Sequence, residues 1–398
     1  MSDKPVALLV TPVLPLPRGS GRALRAWEWL KELSETHCVH IITPDTDHAG
    51  LSSGDYPAAK IWTLSAAPPA SGRWQRAAGL ILPGLALVSR RFVLDWHRPT
   101  SSTLLQALSA SLSGGTVERI IVFRLYLHDV GLTLSCQFPA ASLELDCDDL
   151  ESSTRRSVAA ALLRMGKYRA AWRTLSSALQ YRLLEGRISK QYKKIYLAAR
   201  EDCVLQRKES VIPFDCRPNR IAVPRDFPPA HPGKPFRLLF VGTLNYPPNE
   251  EAVLKLIKNL VPLLNATVSG LWELTIVGRH ASHHLTQQLE KAPAHVQWLD
   301  NVDDLTGIYA ESHCILVPLK AGGGTKLKTL EGFAHRRPVV STQEGVRGLN
   351  AINGTHYLQA ETMQEFALAI QHLIKNPAIA NQIGLAGWSL CKEKYCAR

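Results

Sequence analysis

The sequence predicts an α/β protein made of two doubly wound domains, each a parallel sheet covered by helices. Along both halves of the 398 residues, short strand-like runs alternate with helical stretches, which is typical of parallel βαβ units. A proline-rich interval separates the two series, since residues 217–235 contain six prolines and few apolar runs. We therefore predict one domain at 1–216, a linker at 217–235 and a second domain at 236–398.

The strand predictions rest on short apolar runs, most of them rich in β-branched residues. Between the first strands, residues 22–34 fit a helix with Leu24, Trp27 and Leu30 turned inward. Ligands of such sheets bind beyond the carboxyl ends of the strands, so we expect the site residues there. The predicted strands are 6–11, 39–43, 61–64, 120–123 and 142–145 in the first half, then 238–241, 274–277, 296–298, 314–318 and 338–341.

Composition narrows the class of protein and its compartment. A net charge of +12 and 45% hydrophobic residues suit a globular protein. The eight cysteines lack metal-ligand or disulfide-framework spacing, which favours reduced thiols. No signal segment follows Met1, and no apolar run reaches the roughly 18–20 residues that cross a bilayer. We expect a cytoplasmic protein, with peripheral contact to the inner face of a membrane as an option.

Two segments motivate that option. Residues 77–88 are apolar and flanked by arginines, which fits either a core helix pair or a loop at a membrane interface. Residues 155–194 carry eleven Lys or Arg and one acid, Glu185, on a helical pattern with an apolar and a basic face. Such a face suits anionic lipid or water, and nucleic acid is a remote option because no recognition motif accompanies the charge.

The most informative segment is 318–334, where three glycines join a predicted strand to a predicted helix. A strand–glycine loop–helix unit binds phosphate through backbone N–H groups at the helix N-terminus. Lys328 and Glu331 follow Gly324 at i+4 and i+7, on the face opposite an apolar stripe. The cation suits a diphosphate and the carboxylate suits ribose hydroxyls, so the segment predicts a nucleoside-diphosphate site.

This segment resembles the donor-binding element of retaining glycosyltransferases with the GT-B fold, the large family of lipid and polysaccharide mannosyl- and glucosyltransferases called glycosyl transferases group 1. Segments 7–22, 238–249, 274–279 and 296–304 resemble further elements of that family, in its order. The resemblance spans most of the chain. It implies two Rossmann-like domains facing across a cleft, with the acceptor on the N-terminal domain and a nucleotide sugar on the C-terminal domain.

The resemblance also implies a set of donor-site residues. Glu331 matches the second of two family glutamates and would bind the ribose. Arg279, Lys328 and Arg124 are the residues that we expect to act in catalysis, the first two by stabilising the departing diphosphate. The expected donor-binding residues are Gly242, Thr243, Gly278, Val302, Gly322, Gly323, Gly324, Thr325, Lys326 and Glu331.

The sequence departs from the family pattern in three places. The first family glutamate would fall at Gly323, and the arginine and lysine that grip the diphosphate would fall at about Thr243 and Asn249. Losing two charge-assisted contacts, each worth about 1.5–3 kcal/mol, would disable an ordinary donor site unless other cations replace them. We expect replacement by residues drawn from Arg279, Lys326, Lys328 and Arg347.

On the acceptor side, a glycine turn follows the first strand and two arginines open the next helix. Gly19, Gly21, Arg22 and Arg25 are therefore expected to bind an acceptor that carries phosphate. Arg124 stands nearest the place of a family histidine, whereas His128 fits a loop histidine better. The acidic run 146–151 fits a helix cap better than a site that orients an acceptor hydroxyl.

The expected activity is hexosyl transfer from a nucleotide-diphosphate sugar to a membrane-linked or polysaccharide acceptor, with retention of configuration and without a metal or other cofactor. Asp146 and Asp148 match an Asp-x-Asp metal pattern, but in the acceptor domain. Two alternatives remain: a catalytically weakened GT-B protein that binds nucleotide or assists a partner, and a nucleotide-sugar epimerase, which would act on donor alone. The family's helix that crosses back to the first domain could be cut short, with looser domain closure as a consequence.

Overall fold

The structure is a computed structural model that describes residues 4–17, 19–44, 56–58, 60–64, 102–112, 115–203, 214–224, 235–268 and 272–397. These residues form two compact units. The N-terminal unit contains Met1–Arg155 and Arg173–Pro218, and the C-terminal unit contains Arg156–Trp172 and Asn219–Arg398. The predicted segment 77–88 and residues 225–234 of the predicted linker lie outside the described residues.

The described part of the N-terminal unit contains one sheet of seven parallel strands. Two of these strands, β6 and β7, were not predicted, because β6 begins inside the basic run to which the sequence assigned a helical pattern and β7 is only three residues long. The strands are β1 (Val6–Val10), β2 (Cys38–Thr43), β3 (Lys60–Thr63), β4 (Val117–Phe123), β5 (Ser142–Asp148), β6 (Lys194–Leu197) and β7 (Phe214–Cys216), in the spatial order β3-β2-β1-β4-β5-β6-β7.

Helices join these strands. The helix predicted at 22–34 is present as α1, but Trp29, Leu30 and Leu33 form its fully buried face, whereas the predicted inward residues Leu24 and Trp27 are only half-buried. Its N-cap is Ser20, whose Oγ accepts a hydrogen bond from the N–H of Ala23. The helices are α1 (Gly21–Thr36), α2 (Ser102–Ser111), α3 (His128–Gln137), α4 (Glu151–Arg164) and α5 (Tyr168–Ile188), and the last two extend from one unit into the other.

The described part of the C-terminal unit contains a sheet of six parallel strands. Five of them were predicted, and the two-residue edge strand β13 was not. The strands are β8 (Phe236–Val241), β9 (Trp272–Val277), β10 (Val296–Leu299), β11 (Cys314–Val317), β12 (Val339–Ser341) and β13 (Leu358–Gln359), in the order β10-β9-β8-β11-β12-β13.

The helices of this unit cover both faces of its sheet. A stretch of π-helix, Leu256–Leu260, joins the first two into one rod. The helices are α6 (Pro247–Lys255), α7 (Val261–Thr267), α8 (His283–Glu290), α9 (Thr306–Glu311), α10 (Leu327–Ala334), α11 (Met363–Lys375) and α12 (Pro377–Lys394). Their apolar faces bury a core that includes Phe240, Phe333 and Phe366.

The strand order places one ligand-binding edge in each unit. In each sheet the first strand lies between the second and the fourth. The chain that follows β1 therefore crosses one face of its sheet, and the chain that follows β4 crosses the other. The same holds for β8 and β11 in the second sheet. A crevice opens beyond the carboxyl ends of such a pair, and ligands of doubly wound sheets bind there. In the C-terminal unit, Gly242 follows β8 and the loop 318–326 follows β11, so the predicted donor residues lie at this edge.

Candidate functional site

The glycine loop between β11 and α10 depends on its glycines. Gly322 has φ 134° and Gly324 has φ 56°, a region that side chains rarely tolerate. Helix α10 begins at Leu327, so Gly324 lies in the loop and not on the helix face where the sequence placed it. The loop therefore presents backbone to the crevice beyond β8 and β11, as a phosphate-binding loop does.

Lys326 holds this loop in shape. Its buried Nζ donates hydrogen bonds to the carbonyl oxygens of Gly323, at 3.2 Å, and Gly324, at 3.0 Å. It also forms an ion pair with Glu344 at 2.9 Å. Three acceptors already surround this ammonium group, so its geometry supports the loop itself. Direct contact of Lys326 with a donor stays a prediction.

Lys328 is a half-buried cation beside the end of β8. Its Nζ donates a hydrogen bond of 2.7 Å to Oδ1 of Asn249 and lies 4.2 Å from the ring centre of Phe240. A Cβ at Gly242 would come within 2.8 Å of the same Nζ, so a side chain at this position would displace the ammonium group. Burial lowers the pKa of Lys328 to about 7, although Glu331 acts in the opposite direction.

Asn249 explains how Lys328 reaches this place. The Asn249 amide nitrogen donates to the carbonyl oxygen of Thr243 at 2.9 Å, which turns its Oδ1 toward Lys328. The family pattern would have a lysine at about this position of α6. Here the position carries an acceptor, and the ammonium group comes from α10 instead. The structure thus brings three predicted positions, Gly242, Thr243 and Lys328, together around a residue that the sequence marked only as a departure.

Glu331 lies one turn beyond Lys328 on α10 and is held by a tyrosine. The hydroxyl of Tyr309 donates to its Oε2 at 2.8 Å. Tyr309 is fully buried and stacks on His335 with ring centres 4.4 Å apart. Burial raises the pKa of Glu331, against the opposing effects of Tyr309 and Lys328. Sequence reasoning missed Tyr309, because nothing in a six-residue helix at 306–311 marks it as a partner.

Two further polar contacts reach the glycine loop from elsewhere in the C-terminal unit. The N–H of Gly322 donates to Oγ of Ser157 on α4 at 2.6 Å, and the amide of Asn219 donates to Oγ1 of Thr325 at 2.7 Å. Within the described residues, the N–H groups of Gly323 and Gly324 form no hydrogen bond. These two donors therefore remain available for a phosphate.

Arg279 follows β9 at the same edge, but its charge is engaged elsewhere. Its guanidinium forms an ion pair with Asp303, and both side chains are substantially exposed. The preceding Gly278 has no room for a side chain, because a Cβ would collide with the carbonyl of Gly242. Val302 packs, half-buried, against the core. The catalytic role of Arg279 stays a prediction, and it requires that the arginine leave Asp303.

The corresponding edge of the N-terminal unit holds a cluster of paired charges. Arg25 donates to both carboxylate oxygens of Asp146 at 2.8 Å, and Trp29 donates to the same group at 2.6 Å. Arg124 forms ion pairs with Asp148 at 3.0 Å, Asp149 at 2.6 Å and Glu151 at 2.5 Å. The predicted acceptor residue Arg25 and catalytic residue Arg124 are thus buried within ion pairs, and their roles stay predictions.

Other predicted residues of this unit lie as follows. Gly19 has φ 110°, as a glycine turn requires, and Gly21 begins α1, which leaves Arg22 exposed in the first turn. His128 is buried and hydrogen-bonded to the hydroxyl of Tyr192 at 2.9 Å, which fits a structural histidine. The acid that caps α4 is not in the predicted run, since Oε1 of Glu185 from α5 accepts the hydrogen bond of the Ser152 N–H at 3.0 Å.

The cluster is strained as well as charged. Arg124 has φ 81° and Asp148 has φ 63°, both in a region that costs free energy for residues other than glycine. Burial raises the pKa of Asp148, although Arg25 and Arg124 act against it. Asp148 also has the most exposed side chain among the carboxylates paired with Arg124, at 18%. Such strain is common at functional sites, and it identifies the carboxyl ends of β4 and β5 as a second candidate site.

Comparison with known proteins identifies the type of site. Residues 235–376 match the family model described as Glycosyl transferases group 1. A protein of Klebsiella pneumoniae, described as an uncharacterized 44.6 kDa protein in the cps region, is 25% identical over 223 residues. That match covers 52% of this chain, and the chain spans about half of the relative's length, 54%.

Solved structures match over nearly the whole chain. Sucrose-phosphate synthase from Thermosynechococcus elongatus has a TM-score of 0.66 at 17% identity, covering 99% of this chain and 95% of that one. HepE of Anabaena, in complex with UDP-glucose, has a TM-score of 0.65 at 11% identity, covering 99% and 96%. A glycosyltransferase from Rickettsia africae has a TM-score of 0.62 at 13% identity, covering 100% and 95%. At these identities the matches show a shared fold, and the prediction of GT-B architecture is confirmed.

Two structural features are absent from the described residues. No group of three or more His, Cys, Asp or Glu side chains there is arranged to hold a metal ion. None of the helices in the same residues is long and apolar enough to cross a bilayer.

Proposed function

We propose that this chain is a glycosyltransferase that transfers a hexose from a UDP-sugar to a membrane-linked or polysaccharide acceptor, because residues 235–376 match the glycosyl transferases group 1 model and the chain has the GT-B fold. UDP is favoured because HepE, which shares the fold, binds UDP-glucose. A role in polysaccharide biosynthesis is favoured by the cps-region relative. In this proposal the transfer retains the anomeric configuration, needs no metal and takes place at the inner face of the membrane.

One observation carries this proposal: the half-buried Lys328 lies beside the end of β8 without an ion pair among the described residues, next to a glycine loop with two available N–H groups. Lys328 has no ion pair among the described residues, and its neighbour Asn249 is neutral. A buried cation is costly unless an anion compensates it. A diphosphate would supply that anion, and the N–H groups of Gly323 and Gly324 would bind its oxygens.

The same residues explain how the leaving group would be stabilised. In the proposed reaction the glycosidic bond to the diphosphate breaks, and negative charge develops on the departing oxygen. Lys328 and the loop N–H groups are fixed before the reaction, so they stabilise this charge without reorganising. Glu331, oriented by Tyr309, would accept hydrogen bonds from the ribose hydroxyls. These groups supply electrostatic stabilisation, and the mechanism requires no covalent nucleophile.

The acceptor would lie at the carboxyl edge of the N-terminal sheet. The exposed Arg22, at the N-terminus of α1, would contact a phosphate of the acceptor. Arg25 and Arg124 would act through the carboxylates that they hold, by positioning Asp148 toward an acceptor hydroxyl. This assignment follows from the ion pairs around both arginines, which leave them poorly suited to bind substrate directly.

A second candidate, the catalytically weakened nucleotide-binding protein, is favoured by one contact. Ser157 occupies the N–H of Gly322, which an incoming phosphate would otherwise use. Donor turnover separates the candidates, because a weakened protein binds nucleotide without releasing it from a nucleotide sugar. An epimerase would be recognised by conversion of donor alone.

The decisive experiment is calorimetric titration of the protein with UDP, GDP and ADP, followed by hydrolysis of the matching nucleotide sugar. We expect UDP to bind, and Glu331→Ala to weaken that binding at least about tenfold through loss of the ribose contacts. Glu290→Ala, at an exposed acid that ends α8, is the matched control and should bind as the wild type does. Absence of binding to all three nucleotides would refute the donor site.

A further inference from the structure

Helix α5 exposes a continuous apolar stripe. Its members are exposed by 69% at Tyr168, 46% at Trp172, 41% at Leu175 and 49% at Leu179. Leu163, near the end of α4, is also exposed, by 44%. Among the described residues, these five account for most of the large hydrophobic side chains that face solvent, so the exposure is concentrated in one place.

The stripe is a feature of the helix surface and not of its packing face. Its positions follow one another at spacings of four, three and four residues, which places them on one side of an α-helix. Ala171, Ala178 and Tyr181 lie on a different side and are buried. The helix therefore has a core-facing side already, and the stripe is a second apolar face. Contiguous exposed apolar surface of this kind usually marks a contact site.

The charge beside the stripe is positive. Arg169, Arg173 and Arg187 project on one flank of it, all three are exposed, and none forms an ion pair with a described residue. Glu185 is the only acid on the helix, and it is occupied by Ser152, whose hydroxyl and N–H both donate to it.

Not every cation of this region belongs to that flank. Arg164 is paired with Glu251 at 2.6 Å, and Lys167 is paired with Glu250 at 2.6 Å, all within the C-terminal unit. Their charges are compensated by the protein itself. The structure thus distinguishes cations of the basic run that are paired within the protein, such as Arg164 and Lys167, from an arginine flank that faces solvent.

We propose that this α5 surface, the stripe with its arginine flank, docks on an anionic lipid bilayer. Aromatic and leucine side chains would enter the headgroup boundary while the arginines contact lipid phosphates, as in interfacial amphipathic helices. A second copy of the chain would bring like charges together, and the leucines offer a nucleic acid no hydrogen bond. The biological role of this docking rests on the proposed function, since docking would bring the enzyme to a membrane-linked acceptor. The membrane contact itself does not require a bound nucleotide sugar.

Co-sedimentation of the full chain with vesicles tests the apolar stripe. The vesicles are either phosphatidylcholine alone or phosphatidylcholine and phosphatidylglycerol in equal parts. We expect binding to the anionic vesicles, and its loss in Trp172→Ser/Leu175→Ser. The matched control is Ile352→Ser/Leu368→Ser, which removes two exposed hydrophobic side chains, 60% and 63% exposed, from elsewhere in the chain. This control should sediment with the vesicles as the wild type does.

A charge series tests the arginine flank. Arg169→Glu/Arg173→Glu should weaken binding to anionic vesicles by about tenfold or more, because each basic group near a charged bilayer contributes to the attraction. Lys258→Glu/Lys375→Glu changes the net charge equally at two exposed lysines elsewhere and should have a much smaller effect. Added salt should weaken the binding of the wild type to anionic vesicles, because salt screens the attraction. The binding of the Arg169→Glu/Arg173→Glu variant should change little with salt.

Two outcomes would overturn the proposal: no binding to anionic vesicles, or binding that both α5 variants retain, which would assign it to another segment such as 77–88. Self-association in sedimentation velocity that disappears in Trp172→Ser/Leu175→Ser would assign the stripe to a second copy instead. Calorimetry with UDP separates this proposal from the proposed function. A stripe variant that binds UDP normally but does not bind vesicles supports docking. Absence of UDP binding by the wild type would refute the donor site and would leave the vesicle result unaffected.

Discussion

The carboxyl edges of the two sheets hold opposite electrostatic arrangements. Beyond β4 and β5, Arg25 and Arg124 are surrounded by carboxylates that compensate their charge. Beyond β8, the half-buried Lys328 packs against Asn249 and Phe240 with no ion pair among the described residues. The first arrangement is complete without a ligand, so its charges maintain structure. The second lacks an anion, which is the property expected of a site that binds one.

The largest expected effect is on stability and belongs to the N-terminal cluster. Arg124→Met should lower the free energy of unfolding by about 3–5 kcal/mol, because it leaves buried carboxylates without their partner. Urea denaturation would measure it. Arg279→Met is the matched control, since its ion pair with Asp303 is exposed and should contribute no more than about 1 kcal/mol. If Arg124→Met lowered the free energy of unfolding no more than Arg279→Met does, the cluster would not be structural.

The next effect is on ligand affinity and belongs to Lys328. Lys328→Met should weaken UDP binding by about 1.5–3 kcal/mol through loss of a charge-assisted contact, while the variant folds at least as stably as the wild type. Calorimetry and urea denaturation measure the two quantities. Lys320→Met, at an exposed lysine of the same loop, is the control for loss of charge alone. A variant that binds UDP normally would exclude Lys328 from the diphosphate site.

A pH dependence follows from the lowered pKa of Lys328, about 7 in the empty site. A bound diphosphate favours the charged ammonium, so above that pKa the empty site must take up a proton to bind it. UDP affinity should therefore fall, by up to about tenfold per pH unit, as the pH rises from about 7 to about 9. Calorimetry in buffers with different ionisation enthalpies would detect the proton uptake. Lys328→Met should show neither effect, and a pH-independent wild type would contradict the assignment.

The smallest expected effect concerns Arg279. If Lys328 supplies the main charge of the diphosphate site, Arg279→Met should raise the KM for the nucleotide sugar only slightly, by less than about 1 kcal/mol in free energy. Asp303→Asn, which releases the arginine, is its companion and should lower KM if Arg279 moves to the donor. If Arg279→Met raised the KM for the nucleotide sugar as much as Lys328→Met does, both cations would bind the diphosphate.

Local sequence was sufficient for the main features of the fold and for part of the site. Strand runs such as 238–241 and 274–277 are short and largely apolar, and more polar segments flank them. This pattern alone indicated buried parallel strands. The triple glycine needs no tertiary information either, because φ values such as those of Gly322 and Gly324 are intrinsic to that residue. Strands β6, β7 and β13 were not predicted, since β6 begins inside the basic run to which the sequence assigned a helical pattern, and β7 and β13 have only three and two residues.

What the linear chain determined by itself is the α/β class, the position of most strands along the sequence and the glycine loop at 318–326, because short apolar runs and glycine placement act over a few neighbouring residues. The tertiary structure alone decided which charge meets which partner. Lys328 and Asn249 are far apart in sequence yet 2.7 Å apart in space, and Arg124 meets its carboxylates only when β4 and β5 pair. Compensation of a charge depends on distance in space, and that distance exists only once the sheets have formed.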